Sequence, residues 1–482
     1  MEHVDNPADT SLTGFRFREH LGGVGMGEMA GVRWDLSARE RIDYLYDPAR
    51  RAAVQELAVT RTYQVSGELN ELGNLRGQMS LAYRDKNFRD FFERLPDDSL
   101  GIYQPDAQFQ DTSWTDRQSH LARFDLQYRN TSRTLTARWD YKVASELQAL
   151  REKVYLEVGE ANGNFRFDST INEYVPDPQG DLILVQLQTG DFESVTNLES
   201  AVQVQYRPSG DADMDGVWDT FRKRISTLSY AKVIEQSRSD DILDLYLLRL
   251  DRFHNLQSSL RGVYILNQDV TWNERNPVWG LLLRMRYRDN LSNQFLDAEN
   301  NETRITAERI VQGRRRLFER TLNVTAEYRN GRTKRWVAAN PSRNLDIASQ
   351  VLATELNYRP TIAWQIQLAM ERGWERDRRP VDALAVNFWE VKPQVAFSLR
   401  GKARATADLT FLQVAAVENP GERPLPFEIG KGKKTGNSWL WNLRFEYFLS
   451  NNVTINATYN GRRDATALRT LHLGQAEVRA FF

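Results

Sequence analysis

Cysteine is absent from the 482 residues. That excludes disulfide frameworks, thiolate metal sites and cysteine nucleophiles, and it suits a chain that folds in an oxidising compartment without mispairing. An excess of either charge is also missing: 64 basic residues stand against 65 acidic ones, a formal net charge of −1. A nucleic-acid binder needs a basic surplus to neutralise phosphates, so no nucleic-acid partner is expected. No apolar run approaches the roughly 18 residues that a membrane helix requires. Histidines are few (His3, His20, His120, His254 and His472) and none pairs at metal-ligand spacing. There is no glycine-rich phosphate loop, and neither His120 nor His472 carries a hydrolase signature around it. The expectation is a protein without cofactor that is not an enzyme.

What is there is alternation. From Trp439 the residues Trp439, Trp441, Leu443, Phe445, Tyr447 and Leu449 take turns with Asn442, Arg444 and Glu446. After Asn451-Asn452 the pattern resumes as Val453, Ile455, Ala457 and Tyr459 against Thr454, Asn456, Thr458 and Asn460. A third run ends the sequence on Phe482. Period-two patterning means β-strands, because successive side chains point to opposite faces. A phrase of Tyr-Arg followed by a turn residue recurs at Tyr83, Tyr128, Tyr206, Tyr287, Tyr328 and Tyr358. Tyrosine at strand ends is what a membrane–water interface favours, since the ring is apolar and the hydroxyl wet.

These closing strands, dense in aromatics on one face and ending on Phe482, resemble those of bacterial outer-membrane β-barrels of the porin-like kind. The resemblance implies an all-β, antiparallel transmembrane β-barrel. Half of every barrel strand is polar, which is why a hydropathy test is blind to it. Counting candidate strands gives about 18, with a range of 16–22. Residues 1–142 hold N-terminal barrel strands, with Asp85–Ser119 as a long surface loop and a hairpin over His120–Asn130 and Arg133–Lys142. Residues 143–195 break the pattern: a short helix is expected over Ala144–Lys153 and a short strand over Leu182–Val185. They form a small inserted β-subdomain outside the membrane. Residues 196–482 hold the strands that close the barrel. Tight connections at Arg314–Leu317, Pro360-Thr361, Gly401 and Ser450-Asn451 alternate with long polar ones, as short periplasmic turns and long external loops do. The Met1–Pro7 start lacks a basic-then-apolar signal peptide, so the expectation is a chain missing its true beginning.

The charged face supplies candidate lumen-lining residues: Arg284, Arg286, Arg288, Glu355, Glu371, Arg404, Asp408, Arg444 and Glu446. Arg284, Arg286 and Arg288 alternate onto one strand face, either as an arginine ladder or as members of salt bridges bracing the wall. The candidate membrane girdle is Tyr128, Tyr287, Tyr328, Tyr358, Trp364, Trp439, Trp441, Phe445, Tyr447, Tyr459 and Phe482. Arg314-Arg315-Arg316, with Arg320, is either an anionic-lipid contact or a solvated edge. Asp211, Asp213 and Asp215 open like a calcium loop. Arg222 stands where a bidentate glutamate belongs, so an acidic turn is the favoured reading.

The expected function is an outer-membrane barrel of a Gram-negative-type bacterium, a passive channel or the barrel of a transport or export assembly. Its partners are outer-membrane lipid, the barrel-assembly machinery through the C-terminal strand, and unidentified envelope proteins. Two alternatives stand: a non-conducting envelope barrel displaying loops for adhesion or scaffolding, and a soluble extracellular β-sandwich binding protein.

Overall fold

In the computed structural model the described residues form an antiparallel sheet of 22 strands. The structure describes residues 3–4, 15–29, 31–46, 54–88, 117–160, 162–170, 172–208, 223–238, 242–319, 321–379, 384–419, 424–450, 452–467 and 469–480. Three strands are short: β1 (His3–Val4), β8 (Gly163–Asp168) and β9 (Glu173–Gly180). The others run from 10 to 25 residues. The all-β antiparallel class is the one the alternation predicts.

Contacts divide the chain into two units. The first takes in Met1–Arg151, Gln188–Val204 and Ala231–Val263. Its strands β2 (Phe15–Met29), β3 (Val32–Tyr46), β4 (Val54–Leu72), β5 (Leu75–Phe88) and β6 (Arg117–Arg129) each pair antiparallel with the next, and β6 pairs with β7 (Leu135–Glu157). The predicted helix over Ala144–Lys153 is a correction: these residues continue β7. They are good helix formers, but intrinsic propensity is a weak prior that strand pairing overrides. Leu182–Val185 likewise opens a 25-residue strand, β10 (Leu182–Tyr206), which pairs with β7.

The second unit takes in Glu152–Leu187, Gln205–Tyr230 and Tyr264–Phe482. Its meander runs β13 (Trp279–Ser292), β14 (Glu302–Leu317), β15 (Leu322–Trp336), β16 (Leu345–Tyr358), β17 (Trp364–Asp377), β18 (Leu384–Leu399), β19 (Ala403–Glu418), β20 (Gly436–Ser450), β21 (Val453–Arg463) and β22 (Leu471–Ala480). Every consecutive pair is antiparallel. Connections at 318–321, 359–363, 400–402 and 451–452 are short, and those at 293–301, 337–344, 378–383, 419–435 and 464–470 are longer. Alternating hairpins put all the short ones at one end of the strands.

Gly401 takes φ 69° in its turn, a conformation that a Cβ disfavours. The turn expected at Arg314–Leu317 is displaced. Arg314, Arg315 and Arg316 belong to β14, and Phe318 and Glu319, both at φ 50°, turn the chain. Gly313 is paired with Leu281 and Ala326 inside the ladder.

Register fixes the faces. Arg284 lies opposite Ile310, Ile310 opposite Arg329, Arg329 opposite Val351 and Val351 opposite Gly373. The line continues through Phe388 and Val414. One face therefore carries the even positions of β13, β14 and β18–β21 and the odd positions of β15–β17, as side-chain alternation requires. On that face Leu345, Ile347, Val351, Leu384, Val386, Phe388, Leu412 and Val414 form a buried apolar cluster near the long connections.

Candidate functional site: a hairpin clamped over the charged face

By register, Arg284, Arg286, Arg288, Glu355, Glu371, Arg404, Asp408, Arg444 and Glu446 all share this face. Tyr287, Tyr328, Tyr358, Trp364, Trp439, Trp441, Phe445, Tyr447 and Tyr459 all lie on the other. Tyr128 is on β6 in the first unit. Phe482, Arg320, Asp211, Asp213 and Asp215 lie outside the described residues.

The aromatic-bearing face is uncovered. Leu443 is 46% exposed, Phe445 45% and Met285 58%. Tyr287 and Tyr328 mark the end of this apolar band rather than the end of their strands. Beyond Tyr328, β15 continues on the same face as Asn330, Arg332 and Lys334. Beyond Tyr287, β13 continues as Asp289 and Leu291. The band covers Trp279–Tyr287 on β13, Ala403–Phe411 on β19 and Trp439–Leu449 on β20. Nine to eleven residues at about 3.3 Å each, tilted about 45°, rise about 21–26 Å, the height of an outer-membrane apolar belt.

The charged face is largely neutralised by its own members. Arg284 makes a bidentate pair with Asp269, both bonds at 2.8 Å, and Arg286 lies opposite Glu308. Arg329 donates to Glu327 at 2.6 Å, and Glu355 accepts from Gln367 at 2.9 Å. Arg404 stands 3.7 Å from Glu446. For Arg284 this is the wall-bracing arrangement rather than an open ladder.

Two segments fold over the same face at the long-connection end. The connection 419–435 places Ile429, fully buried, in the apolar cluster. It sends Lys431 to both Glu371 and Glu390, with the ammonium 5.2 Å from the Phe388 ring centre. The Gly430 amide donates to the Glu375 carboxylate at 2.6 Å.

The hairpin β8–β9 is clamped on both sides. Arg343 donates to Glu173 at 3.0 Å, and buried Arg335 of β15 reaches Glu173 at 3.6 Å and Glu428 at 2.7 Å. On the other side Arg462 of β21 donates to Asp177 at 2.6 Å, with Arg166 3.2 Å from the other oxygen. Lys434 donates to Thr170 at 3.1 Å and lies 3.6 Å from Asp168. Burial pushes the Asp168 carboxyl upward. Hydrogen bonds from Thr170 and the Lys434 and Arg166 charges outweigh it and hold the pKa below the usual aspartate range. Aromatic stacking stiffens the hairpin, with Tyr155 and Tyr174 rings 3.8 Å apart and nearly parallel.

Sequence reasoning singled out Glu371 but missed its partner Lys431, and it missed Glu173, Asp177, Arg335 and Arg462. The signal present was Glu173-Val175-Asp177, a same-face run with acids at both ends in a stretch otherwise read as turns. Nothing local named their cations, which lie up to 285 residues away.

No protein-family model matches the chain, and no curated protein matches it. Among solved structures it is similar to the siderophore receptor PirA from Pseudomonas aeruginosa, at 8% identity over 99% of this chain and 71% of that one, with a TM-score of 0.42. It is similar also to the copper transporter OprC, at 10% identity over 99% and 74%, with a TM-score of 0.41. The siderophore receptor PiuA from Acinetobacter baumannii aligns at 10% identity over 95% and 71%, with a TM-score of 0.36. These likenesses are loose, and the assignment of the faces rests on the strand pattern alone.

Proposed function

We propose that the chain is an outer-membrane β-barrel of a Gram-negative-type bacterium that serves transport, with no catalytic role. Its aromatic-bearing face lies in hydrocarbon, its charged face borders a hydrated path, its short connections are periplasmic and its long ones external. The hairpin β8–β9 and the connection 419–435 close the external mouth. The single observation that carries this reading is the uncovered apolar band of membrane height, opposite the face that carries Arg284, Arg404, Asp408, Arg444 and Glu446. A soluble sandwich would bury that band against a second layer, and Leu443 and Phe445 have none. Partners in this reading are outer-membrane lipid and the barrel-assembly machinery.

The second reading, a non-conducting scaffold, draws on the same hairpin, because ion pairs on both of its sides hold it in place. Planar-bilayer recording separates the two. The wild type is expected to conduct little. Glu173→Gln with Asp177→Asn, which releases both clamps, is expected to raise single-channel conductance several-fold. A protein that extracts only in detergent and migrates faster unboiled, yet stays silent in both forms, is a scaffold. One that needs no detergent is not a membrane barrel.

A further inference from the structure

At the short-connection end of the first unit, a cavity of about 510 Å³ is lined by Arg76, Gln127, Arg129, Arg133, Arg138 and Gln203 among others. Register aligns Arg76 with Gln127 and Gln127 with Arg138, so three strands present these side chains on one face, and Arg129 follows two residues on. The carboxylates here are spoken for. Arg138 holds Asp125 at 2.8 Å and Asp140 at 2.7 Å, and Gln127 also donates to Asp125. Among the described residues, Arg129 and Arg133 have no carboxylate partner. Most charges on the second unit's polar face are paired, whereas here guanidinium charge is left over beside a cavity.

The turn that carries Arg133 is built rather than incidental. The Asn130 side chain accepts from the Leu135 amide at 2.9 Å and donates to Thr134 at 2.8 Å, and the Arg133 amide donates to the Asn130 carbonyl at 2.9 Å. This places Arg133 at φ 57°, the left-handed region that a Cβ disfavours and glycine occupies freely. Strain retained at a residue that glycine would relieve points to a use for its side chain.

We propose that this cavity binds a phosphate-bearing anion, with Arg129 and Arg133 as its principal ligands and Arg76 beside them, on the same sheet face as Arg129. Guanidinium forks match phosphate oxygens in pairs, which favours phosphate over a monovalent halide. Binding itself does not depend on the proposed function. That reading adds only that the site lies at the periplasmic end of the first unit's strands.

The test is calorimetric titration of the full chain in detergent with pyrophosphate, at low and at moderate salt. Arg133→Gly is expected to leave the thermal midpoint unchanged or raised while weakening pyrophosphate binding several-fold. Arg129→Ala with Arg133→Gly is expected to weaken it at least tenfold, and Arg315→Ala, an exposed arginine on another strand, to leave it unaltered. Competition by phosphatidate micelles would identify a lipid headgroup as the natural source of the phosphate, and its lack a free solute. Absence of pyrophosphate binding by the wild type, or equal binding by the double variant, overturns the site. Loss of heat-modifiable migration would instead count against the membrane reading, whatever the titration gives.

Discussion

Arg335 is the residue on which the clamp is most concentrated. It is 7% exposed and touches Glu428, Glu173 and the Arg343 carbonyl together. Removing one member of a buried ionic group is more damaging than the group is stabilising, because the partners keep their desolvation cost and lose their counter-charge. Arg335→Ala is expected to lower stability by about 3 kcal/mol, the low end for a broken buried pair. The low end applies because Arg304 remains 3.7 Å from Glu428 and Arg343 stays on Glu173. Urea unfolding in detergent measures the loss. Adding Glu428→Ala should recover part of it, since the stranded carboxylate goes with it.

At the scale of elements the hairpin β8–β9 is the part whose docking depends on charge. Asp168 has its carboxyl pKa held down in the folded state. A depressed acid stabilises above its unfolded pKa, and that contribution is lost as pH falls through the folded value. Docking is therefore expected to be complete at neutral pH and to weaken on acidification below about pH 4, where free aspartate begins to protonate. Hydrogen–deuterium exchange across 163–180 should rise in that window, and Asp168→Asn should flatten the change. The strands were legible because alternation is local. β20 lies within three residues of the run Trp439–Leu449 that alternation marks. β7 was half lost, because Ala144–Lys153 reads as helix until β10 supplies its ladder. The clamp was illegible for a related reason: Asp177 and Arg462 are brought together only by the register of the strands between them.

For the whole molecule the decisive matter is which solvent each face meets, and adjacent residues of one strand can report it. Leu443 and Asn442 are neighbours on β20 that point to opposite faces, and both are exposed. In water an arginine at either place would change stability within about 0.5 kcal/mol, as exposed substitutions do. In a bilayer the two part company. Leu443 sits mid-band, opposite Ala407 and Tyr459, so Leu443→Arg carries a guanidinium into hydrocarbon at a cost of about 2–4 kcal/mol. Asn442→Arg instead stays on the polar face, opposite Asp408 and Asn460, and should be nearly neutral. Equilibrium folding into lipid vesicles measures both variants. A gap of that size between consecutive positions is what a membrane wall produces, and equal values would place both faces in water.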